Sequence, residues 1–367
     1  MKYYIIAGEA SGDLHASNLI KEIIKLEPNA DIRAWGGDKM QNAGANVVKH
    51  FKDLAFMGFY EVLINLRTIL KNISFCKKDI LEFSPDKIIF VDYPGFNMRI
   101  AKWSKKYKFQ TIYYIAPQLW AWNEKRIKKI KKYIDSLYVI LPFEKEFFET
   151  KHKYPVKFLG HPLLDSISNF KKNYDSSSEQ IITNKKAVIA ILPGSRKQEI
   201  KKILNIVIKI VDYFPDHQFI VAGAPNIELS YYKSILKDKK IKVIENKTYE
   251  ILSISTAAIV TSGTATLETA LFKVPQVVCY KSSYFSYFIA KLIVNIKYIS
   301  LVNLIMDQQI VKELIQQDCN KDKIRNELEK ILDLNNKKSL QIKYDELTSI
   351  LGNNGTSKRV ALDIIKK

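Results

Sequence analysis

Short apolar runs of strand length alternate with segments whose apolar residues recur at helical spacing over most of the chain. The run at 88–91 is almost purely apolar, which is typical of a strand in a parallel sheet covered on both faces. The predicted strands are 3–7, 32–35, 88–91, 111–115, 137–141, 156–159, 187–192, 218–222, 241–244, 257–260 and 276–280. This alternation predicts an α/β fold in which strands and helices follow one another.

A polar, serine-rich segment at 171–186 interrupts the alternation and predicts a linker between two domains. A chain of 367 residues also exceeds the size of one ordinary core. We therefore expect Rossmann-like, parallel-sheet domains at 1–170 and 187–340 that face an interdomain cleft, the default binding site between two such domains. The charged tail at 341–367 is predicted to be helical and could cross back to the first domain.

The composition is that of a globular protein, with 47% hydrophobic and 26% charged residues. Three cysteines lie far apart without metal-type spacing, so neither a disulfide framework nor a zinc site is expected. The N-terminus enters a predicted strand without a signal-peptide pattern. Lys291, Asn295, Lys297 and Asn303 interrupt the longest apolar segment. We expect a cytoplasmic protein without a transmembrane anchor.

The net charge of +20 favours contact with a polyanion, and it does not choose between nucleic acid and an anionic lipid surface. A lysine-rich composition spread over a solvated surface would produce the same number. The segment 56–75 has an apolar side wider than one core-facing stripe, with polar positions that include Arg67 and Lys71. This pattern fits either a core helix or a helix that lies in a membrane interface.

The loop at 8–13, GEASGD, follows the first predicted strand and begins a helix. Its glycines do not make the G-x-G-x-x-G pattern and the chain has no GK[ST], so dinucleotide binding and ATP hydrolysis are weakly supported. Glu9, Ser11 and Asp13 place two carboxyl groups and a hydroxyl at the carboxyl end of a strand, where open α/β sheets bind ligands. Ser11 or Asp13 is equally suited to cap the helix that follows.

Asp92 comes directly after the apolar run at 88–91. Partial burial at the tip of a strand can raise the pKa of a carboxyl group towards neutrality, so Asp92 is a candidate general base. Its alternative role is to cap a helix that starts near Asn97. Trp120 and Trp122 lie in the loop after the predicted strand at 111–115, where indole rings can form a wall for a ligand or an acyl chain.

The segment 186–200 predicts a strand, a tight turn and a helix N-terminus. Free backbone N–H groups and the helix dipole favour an anion at such a terminus, and the guanidinium of Arg196 matches phosphate oxygens. Gly194, Ser195 and Arg196 are therefore candidates to bind a diphosphate. For this fragment alone, an ordinary turn with a solvated arginine remains the alternative.

A second anion site is predicted at 261–268, TSGTATLE, again at the start of a helix. Glu268, one turn into this helix, could accept hydrogen bonds from ribose hydroxyls. The chain contains no D-x-D motif, so a nucleotide-sugar enzyme of this build would stabilise its leaving diphosphate with Arg196 and helix N-termini, without a metal. The candidate donors to phosphate oxygens in this segment are Ser262, Gly263, Thr264, Ala265 and Thr266.

The combined motifs resemble, in the same order, those of lipid-A-disaccharide synthase, a family of GT-B-type glycosyltransferases. They are GEASGD (8–13), VDYPGFN (91–97), APQLWAW (116–122), LPFE (141–144), LGHPL (159–163), LPGSRKQEI (192–200), TSGTATLE (261–268) and PQVVCYK (275–281). The resemblance implies an inverting hexosyltransferase without cofactor or metal. It would join UDP-2,3-diacylglucosamine to 2,3-diacylglucosamine 1-phosphate (lipid X), form a β-1,6-linked disaccharide and release UDP.

Carried over residue by residue, the resemblance implies that Asp92 and Arg196 are essential and that Glu9 is the acidic residue of the glycine loop. It also places Asn303 near the nucleotide. Asp92 is then expected to remove the proton from the 6-hydroxyl of the acceptor, with Glu9 or Asp13 as the rival base.

Two positions depart from the family pattern. Gly95 stands where many members have a second aspartate, so no role of that carboxylate applies to this chain. SLVN at 300–303 replaces SLPN, which weakens the assignment of Asn303.

Because both implied substrates carry acyl chains, the resemblance implies a peripheral enzyme on the cytoplasmic face of the inner membrane of a Gram-negative cell. Phe56, Met57 and Phe59 would insert into the bilayer, and Ser11 with the two loop tryptophans would face the acceptor. Anionic lipid would attract the basic surface. A homodimer is a candidate assembly.

The sequence leaves two other hypotheses about function open. One is a different UDP-sugar enzyme of the same architecture, such as another transferase or a UDP-N-acetylglucosamine epimerase. The other is a basic protein that binds nucleic acid without catalysis. The chain has no recognisable nucleic-acid-binding motif, so no nucleic-acid partner is expected.

Overall fold

The chain forms two compact units, one of residues 1–166 together with 351–367 and one of residues 167–350. The structure, a computed structural model, describes residues 1–54, 66–174, 186–237, 239, 241–283, 287–288 and 296–366. Each unit contains one parallel β-sheet with helices packed against it. The predicted α/β class with two parallel-sheet domains is confirmed.

The first unit is built on a seven-stranded sheet. Its strands are β1 (Lys2–Ala7), β2 (Asp31–Gly36), β3 (Asn46–His50), β4 (Lys87–Val91), β5 (Gln110–Tyr114), β6 (Ser136–Val139) and β7 (Lys157–Phe158). The order is β3-β2-β1-β4-β5-β6-β7, with every neighbouring pair parallel. The direction of winding reverses between β1 and β4, and a doubly wound sheet binds its ligand at the carboxyl ends of such strands.

Helices cover both faces of this sheet because alternate side chains of its central strands point to opposite faces. Tyr4 and Ile6 pack in one apolar core and Tyr3 and Ile5 in another, and all four are fully buried. The helices are α1 (Ala10–Leu26), α2 (Asp38–Asn42), α3 (Leu66–Phe83), α4 (Pro94–Ser104), α5 (Ile127–Tyr133), α6 (Pro142–Glu146) and α7 (Leu163–Asn173), the last of which continues into the second unit.

The second unit is built on a six-stranded parallel sheet of order β10-β9-β8-β11-β12-β13. Its strands are β8 (Ala187–Leu192), β9 (His217–Gly223), β10 (Lys242–Glu245), β11 (Ser255–Thr261), β12 (Gln276–Tyr280) and β13 (Lys312–Ile315). Its helices are α8 (Lys197–Val207), α9 (Leu229–Leu236), α10 (Thr248–Ser253), α11 (Thr264–Leu271), α12 (Leu301–Met306), α13 (Lys321–Leu332) and α14 (Leu334–Ile350). The winding reverses between β8 and β11, so the loops after these two strands lie side by side.

The final helix, α15 (Thr356–Ile365), belongs to the first unit. Its apolar residues Val360 and Ile364 pack in the same core as Leu19 of α1. Asp165 holds its N-terminus, since its carboxylate accepts hydrogen bonds from the backbone N–H groups of residues 355, 356 and 357 at 2.6, 3.2 and 2.7 Å. The predicted tail at 341–367 is thus divided, with α14 in the second unit and α15 in the first.

Two of the described strands, β3 and β13, were not predicted from the sequence pattern. Both lie at the edge of a sheet, and most of their residues are only partly buried. An edge strand needs no continuous apolar run, which is the signal on which the prediction depended.

The segment with the interfacial pattern is described only from residue 66 onward, as α3. Phe56, Met57 and Phe59 therefore lie outside the described residues, as does 175–185 of the predicted linker. On α3, Leu70 and Phe75 are 55% and 46% exposed. Within the described ranges, no helix combines the length and apolar character needed to cross a membrane.

Candidate active site

Asp92 directly follows β4, next to the point where the winding of the first sheet reverses. Asp92 and Tyr93 both adopt left-handed backbone conformations, with φ of 46° and 48°. Such conformations are costly for residues other than glycine and concentrate at functional sites. The side-chain amide of Asn97 donates to the Asp92 carbonyl oxygen at 2.7 Å, and the Tyr113 hydroxyl donates to the same oxygen at 2.6 Å. These two bonds hold the Asp92 turn in place.

The carboxyl group of Asp92 has an altered proton affinity. Its pKa is raised from 3.8 to about 6, chiefly by burial and in part by the charge of Glu9, while a hydrogen bond from the Tyr93 backbone N–H opposes the rise. Asp92 is therefore still ionised at neutral pH, and its carboxylate is a stronger base than that of an ordinary aspartate. A general base that works near neutral pH needs this combination.

Gly8, at the end of β1, allows the ring of Tyr93 to lie against the strand end. A Cβ atom on Gly8 would be 2.4 Å from the Tyr93 ring, closer than any contact between carbon atoms that are not bonded. The Tyr93 ring also stacks on Phe96, with centroids 5.5 Å apart. The first glycine of GEASGD therefore serves the close approach of the residue next to Asp92.

Asp13 has a structural partner that the sequence did not reveal. It is 3% exposed, and its carboxylate accepts hydrogen bonds from the backbone N–H groups of Gly37, Lys39 and Met40 at 2.7, 3.2 and 3.1 Å. The alternative that Ser11 or Asp13 caps the helix after GEASGD is wrong, because both lie inside α1 and Asp13 caps α2 instead. Glu9 precedes α1 and is partly exposed, and Ser11 is exposed in its first turn.

The loop after β5 carries the two tryptophans. Trp120 is partly buried; its indole N–H donates to Glu144 Oε1 at 3.0 Å, and its ring meets that of Phe143 edge-on at 4.8 Å. Trp122 is 43% exposed, with the guanidinium of Arg126 4.6 Å above its ring. Trp120 is therefore fixed by the protein, whereas Trp122 presents its ring to solvent.

Glu144 is a buried carboxyl group that the sequence analysis did not select. It is 1% exposed, and burial raises its pKa to about 7, to which the charge of Asp92 contributes. A signal was present in LPFE, because a proline at the first helical position with glutamate two residues later matches the start of a capped helix. That signal predicts the cap and says nothing about the indole of Trp120.

In the second unit, Gly194, Ser195 and Arg196 connect β8 to the N-terminus of α8. Gly194 has φ of +97°, and a Cβ atom there would lie 2.7 Å from Glu199 Oε2, so this position favours glycine. Ser195 is exposed. Arg196 has a side chain 65% exposed, and its Nη1 donates to Glu199 Oε1 at 3.0 Å. The turn therefore offers backbone N–H groups and a guanidinium on the surface of the unit.

The second anion segment lies at the neighbouring strand end, between β11 and α11. Gly263 and Thr264 are exposed and Ala265 is partly exposed, whereas Thr266 is fully buried and donates to the Gly263 carbonyl at 2.8 Å. Ser262 donates to the carbonyl of residue 299 at 2.6 Å. The backbone at 263–265 can therefore meet an anion, and the hydroxyl of Thr266 has a structural partner.

Glu268 is held by a tyrosine on α10. The Tyr249 hydroxyl donates to Glu268 Oε1 at 3.0 Å, and burial raises the pKa of the Glu268 carboxyl above its usual value. The hydrogen bond from Tyr249 orients the Glu268 carboxyl, which lies one turn into α11. The sequence analysis did not predict this hydrogen bond.

Asn303 lies in the interior of the second unit and is 0% exposed. Its amide nitrogen donates to the Val311 carbonyl at 2.9 Å and to Glu313 at 2.8 Å. Its amide oxygen accepts from the backbone N–H groups of Ile310 and Val311 at 2.7 and 2.9 Å. Asn303 therefore joins α12 to the beginning of β13 and does not offer a free amide to a ligand in this conformation.

In the part of the chain that the structure describes, no three His, Cys, Asp or Glu side chains are grouped so that they could hold a metal ion.

The comparison of this chain with known proteins supports the family resemblance that its motifs indicate. The family model of lipid-A-disaccharide synthetase matches residues 3–362. The lipid-A-disaccharide synthase of Coxiella burnetii is 36% identical over 362 residues, which are 97% of this chain and 96% of the relative. That of Geobacter metallireducens is 34% identical over 365 residues, 97% of this chain and 94% of the relative.

Solved structures share the fold at low sequence identity. The UDP complex of Staphylococcus aureus MnaA has a TM-score of 0.71 at 14% identity and covers 98% of this chain and 94% of its own. The Neisseria meningitidis UDP-GlcNAc 2-epimerase bound to UDP-GlcNAc has a TM-score of 0.65 at 15% identity, with both chains fully covered. These likenesses establish a GT-B-like fold. With a family match over nearly its whole length, the chain belongs to the lipid-A-disaccharide synthetase family and is a glycosyltransferase of lipid A biosynthesis.

Proposed function

We propose that this glycosyltransferase joins UDP-2,3-diacylglucosamine to 2,3-diacylglucosamine 1-phosphate (lipid X) with inversion at the anomeric carbon. The 6-hydroxyl oxygen of the acceptor forms a bond to C1 of the donor sugar while the bond from C1 to the UDP oxygen breaks. The hydroxyl proton passes to a protein base, and UDP leaves with the bonding electrons. The observation that carries the proposal is the raised pKa of Asp92 at the switch point of the first sheet.

Asp92 is the proposed base because it combines an ionised carboxylate at neutral pH with a pKa of about 6. Asp13 is a poorer candidate, since backbone N–H groups occupy both of its oxygens. Glu9 acts on Asp92 through its charge, which raises the pKa of the base. Replacing Glu9 with glutamine should therefore lower the pH at which the acid limb of the rate profile falls.

The donor UDP group is proposed to bind the turn at 194–196 and the segment 262–266, with Glu268 accepting from the ribose. The fold is shared with proteins solved with UDP or UDP-GlcNAc bound. Arg196 would leave Glu199 to meet the diphosphate, and an exposed ion pair of this kind contributes little, so the exchange costs little. No metal is required if the guanidinium and the helix N-termini stabilise the developing charge.

We also propose that the enzyme binds peripherally to an anionic membrane, on which both acylated substrates reside. The net charge of +20 and the exposed side chains of Leu70 and Phe75 on α3 support this. Replacing Leu70 and Phe75 with serine should reduce cosedimentation with liposomes that contain anionic lipid. Unchanged cosedimentation would contradict a membrane role of α3.

The deciding experiment measures UDP release from UDP-2,3-diacylglucosamine in detergent micelles, with and without lipid X, in the presence of EDTA. Release that depends on lipid X, with a β configuration of the product by NMR, would support the acceptor, the inversion and the independence from divalent metal. An epimerase of the same fold would change the donor sugar without lipid X and show no preference for an acylated donor. Binding of UDP without release would point to a different acceptor or sugar.

A further inference from the structure

Glu144 joins two loops at the carboxyl edge of the first sheet. Its Oε2 accepts hydrogen bonds from the backbone N–H groups of Ile140 and Leu141 at 3.1 and 3.0 Å, directly after β6. Its Oε1 accepts the indole N–H of Trp120 at 3.0 Å, from the loop after β5. One buried carboxylate thus ties the tryptophan loop to the turn that begins α6.

Three N–H donors point at this carboxyl group. Its two oxygens can accept from all three only in the ionised form, which prevails above its pKa of about 7. A glutamine has the same shape but one acceptor oxygen, and its NH₂ group would face an N–H donor. Because two of the donors are backbone groups after β6, we expect the glutamine oxygen to remain with them. The NH₂ group would then oppose the Trp120 indole.

Trp120 lies one strand away from the Asp92 site. β5 pairs with β4, and Asp92 follows β4, so the loops after these strands leave the same edge of the sheet. The ring of Trp120 is partly exposed, and Phe143, the residue before Glu144, packs edge-on against it. The charge of Asp92 is also among the causes of the raised pKa of Glu144.

Resting on the proposed function, we propose that Glu144 is a positioning residue that fixes the Trp120 indole as a wall of the acceptor site and thereby sets the affinity for the acylated acceptor. A buried carboxylate that served only to cap α6, a helix of five residues, would cost more than a neutral cap because its charge is desolvated. A neutral cap could accept the two backbone N–H groups, but it could not also accept the Trp120 indole N–H.

The test uses Glu144→Gln in the full chain at about pH 8.5, where the wild-type carboxyl is mostly ionised, with initial rates measured against acceptor and donor separately. The Michaelis constant for lipid X should rise about tenfold, which is the scale of one lost hydrogen bond to a charged group. The kcat and the Michaelis constant for the donor should stay within about twofold of the wild-type values. Glu146→Gln is the matched control, because Glu146 is an exposed carboxylate on the same helix. It should leave all three constants unchanged.

The second variant, Trp120→Phe, keeps an aromatic ring and removes the N–H donor. In the Trp120→Phe protein, the NH₂ group of the introduced glutamine no longer faces an N–H donor. Adding Glu144→Gln to Trp120→Phe should therefore raise the Michaelis constant for lipid X by less than about twofold. A simple structural defect would give the same loss in both backgrounds. Far-UV circular dichroism and UDP affinity should be those of the wild type in every variant.

A folded Glu144→Gln protein with the wild-type acceptor constant would overturn the inference and leave the proposed function intact. Equal losses with tryptophan or phenylalanine at position 120 would also overturn it. Failure of the wild-type protein to use lipid X would instead overturn the proposed function, and the acceptor role of Glu144 with it.

Discussion

Replacing Asp92 with asparagine should abolish turnover and at the same time stabilise the folded protein at neutral pH. Folding raises the pKa of this carboxyl from 3.8 to about 6, so the folded state binds the proton more tightly than the unfolded chain does. The carboxyl therefore destabilises the fold wherever the unfolded chain has already lost the proton. The penalty is absent below pH 3.8, grows as the pH rises and is complete above about pH 6.

The magnitude follows from the size of the pKa change. A rise of about two pKa units corresponds to roughly 3 kcal/mol. Asparagine has the same shape and can still accept from the Tyr93 N–H, but it carries no charge, so most of the penalty should disappear. With a discount for partial solvent contact, we expect a gain of about 1–2 kcal/mol, or roughly 3–6 °C in the unfolding midpoint of a unit of this size.

The assay compares thermal unfolding of the wild type and Asp92→Asn at about pH 7.5 and about pH 3, on either side of the predicted window. The variant should unfold at a higher temperature only at the higher pH. Asp31→Asn is the control, since Asp31 is an exposed carboxyl at the start of β2 and should show no such difference. UDP release is measured on the same preparations.

Equal midpoints of the wild type and Asp92→Asn at both pH values would refute the buried, high-pKa environment of Asp92. Normal turnover by Asp92→Asn would remove Asp92 as the base, whatever its effect on stability. A stabilised but inactive variant is the only outcome that satisfies both parts of the argument.

Four further substitutions, one of them a control, test other parts of the structure. Arg196→Ala should lower kcat about a hundredfold, the scale of one lost charge-stabilising donor, and a near-wild-type rate in steady-state assays would contradict its role at the diphosphate. Gly8→Ala forces a Cβ atom to within 2.4 Å of the Tyr93 ring and should cost about 1–3 kcal/mol in denaturant unfolding, whereas Gly95→Ala, with no described atom within 4 Å of its Cβ, should cost almost nothing. Asn303→Ala should cost about 2–4 kcal/mol of stability by leaving buried partners unpaired, and the Michaelis constant for the donor should stay unchanged in the folded protein.

Local sequence pattern was enough to find the described strands other than β3 and β13, and the loops that follow them. The apolar runs of β1, β4, β8 and β11 are signals contained in five to seven consecutive residues, and a polar residue directly after such a run must lie at the carboxyl edge of a parallel sheet. Asp92 was selected in this way, and Arg196 was selected from the turn and helix start that follow β8. The structure places both in loops after strands beside a reversal of winding. The family motifs added the chemistry that these positions serve.

Tertiary structure alone decided which polar side chains face solvent and which are bound within the protein. Asp13 caps a helix that begins 25 residues later in the chain, Asn303 joins two elements of the second unit, and Glu144 accepts the indole of Trp120 across 24 residues. None of these partners is adjacent in sequence, so no periodicity encodes them. They arise because a buried polar group must find a partner wherever packing places one.

The sequence by itself therefore determined the fold class, the strand ends and the family of this protein. The sequence also suggested that the tail could cross back to the first domain and that burial could raise the pKa of Asp92. The division of the tail between the two units and the left-handed turn at Asp92 came only with the tertiary structure. The physical reason is that strand and helix periods are local properties of the chain. Burial, and the electric field at a carboxyl group, depend on residues that only the folded protein brings together.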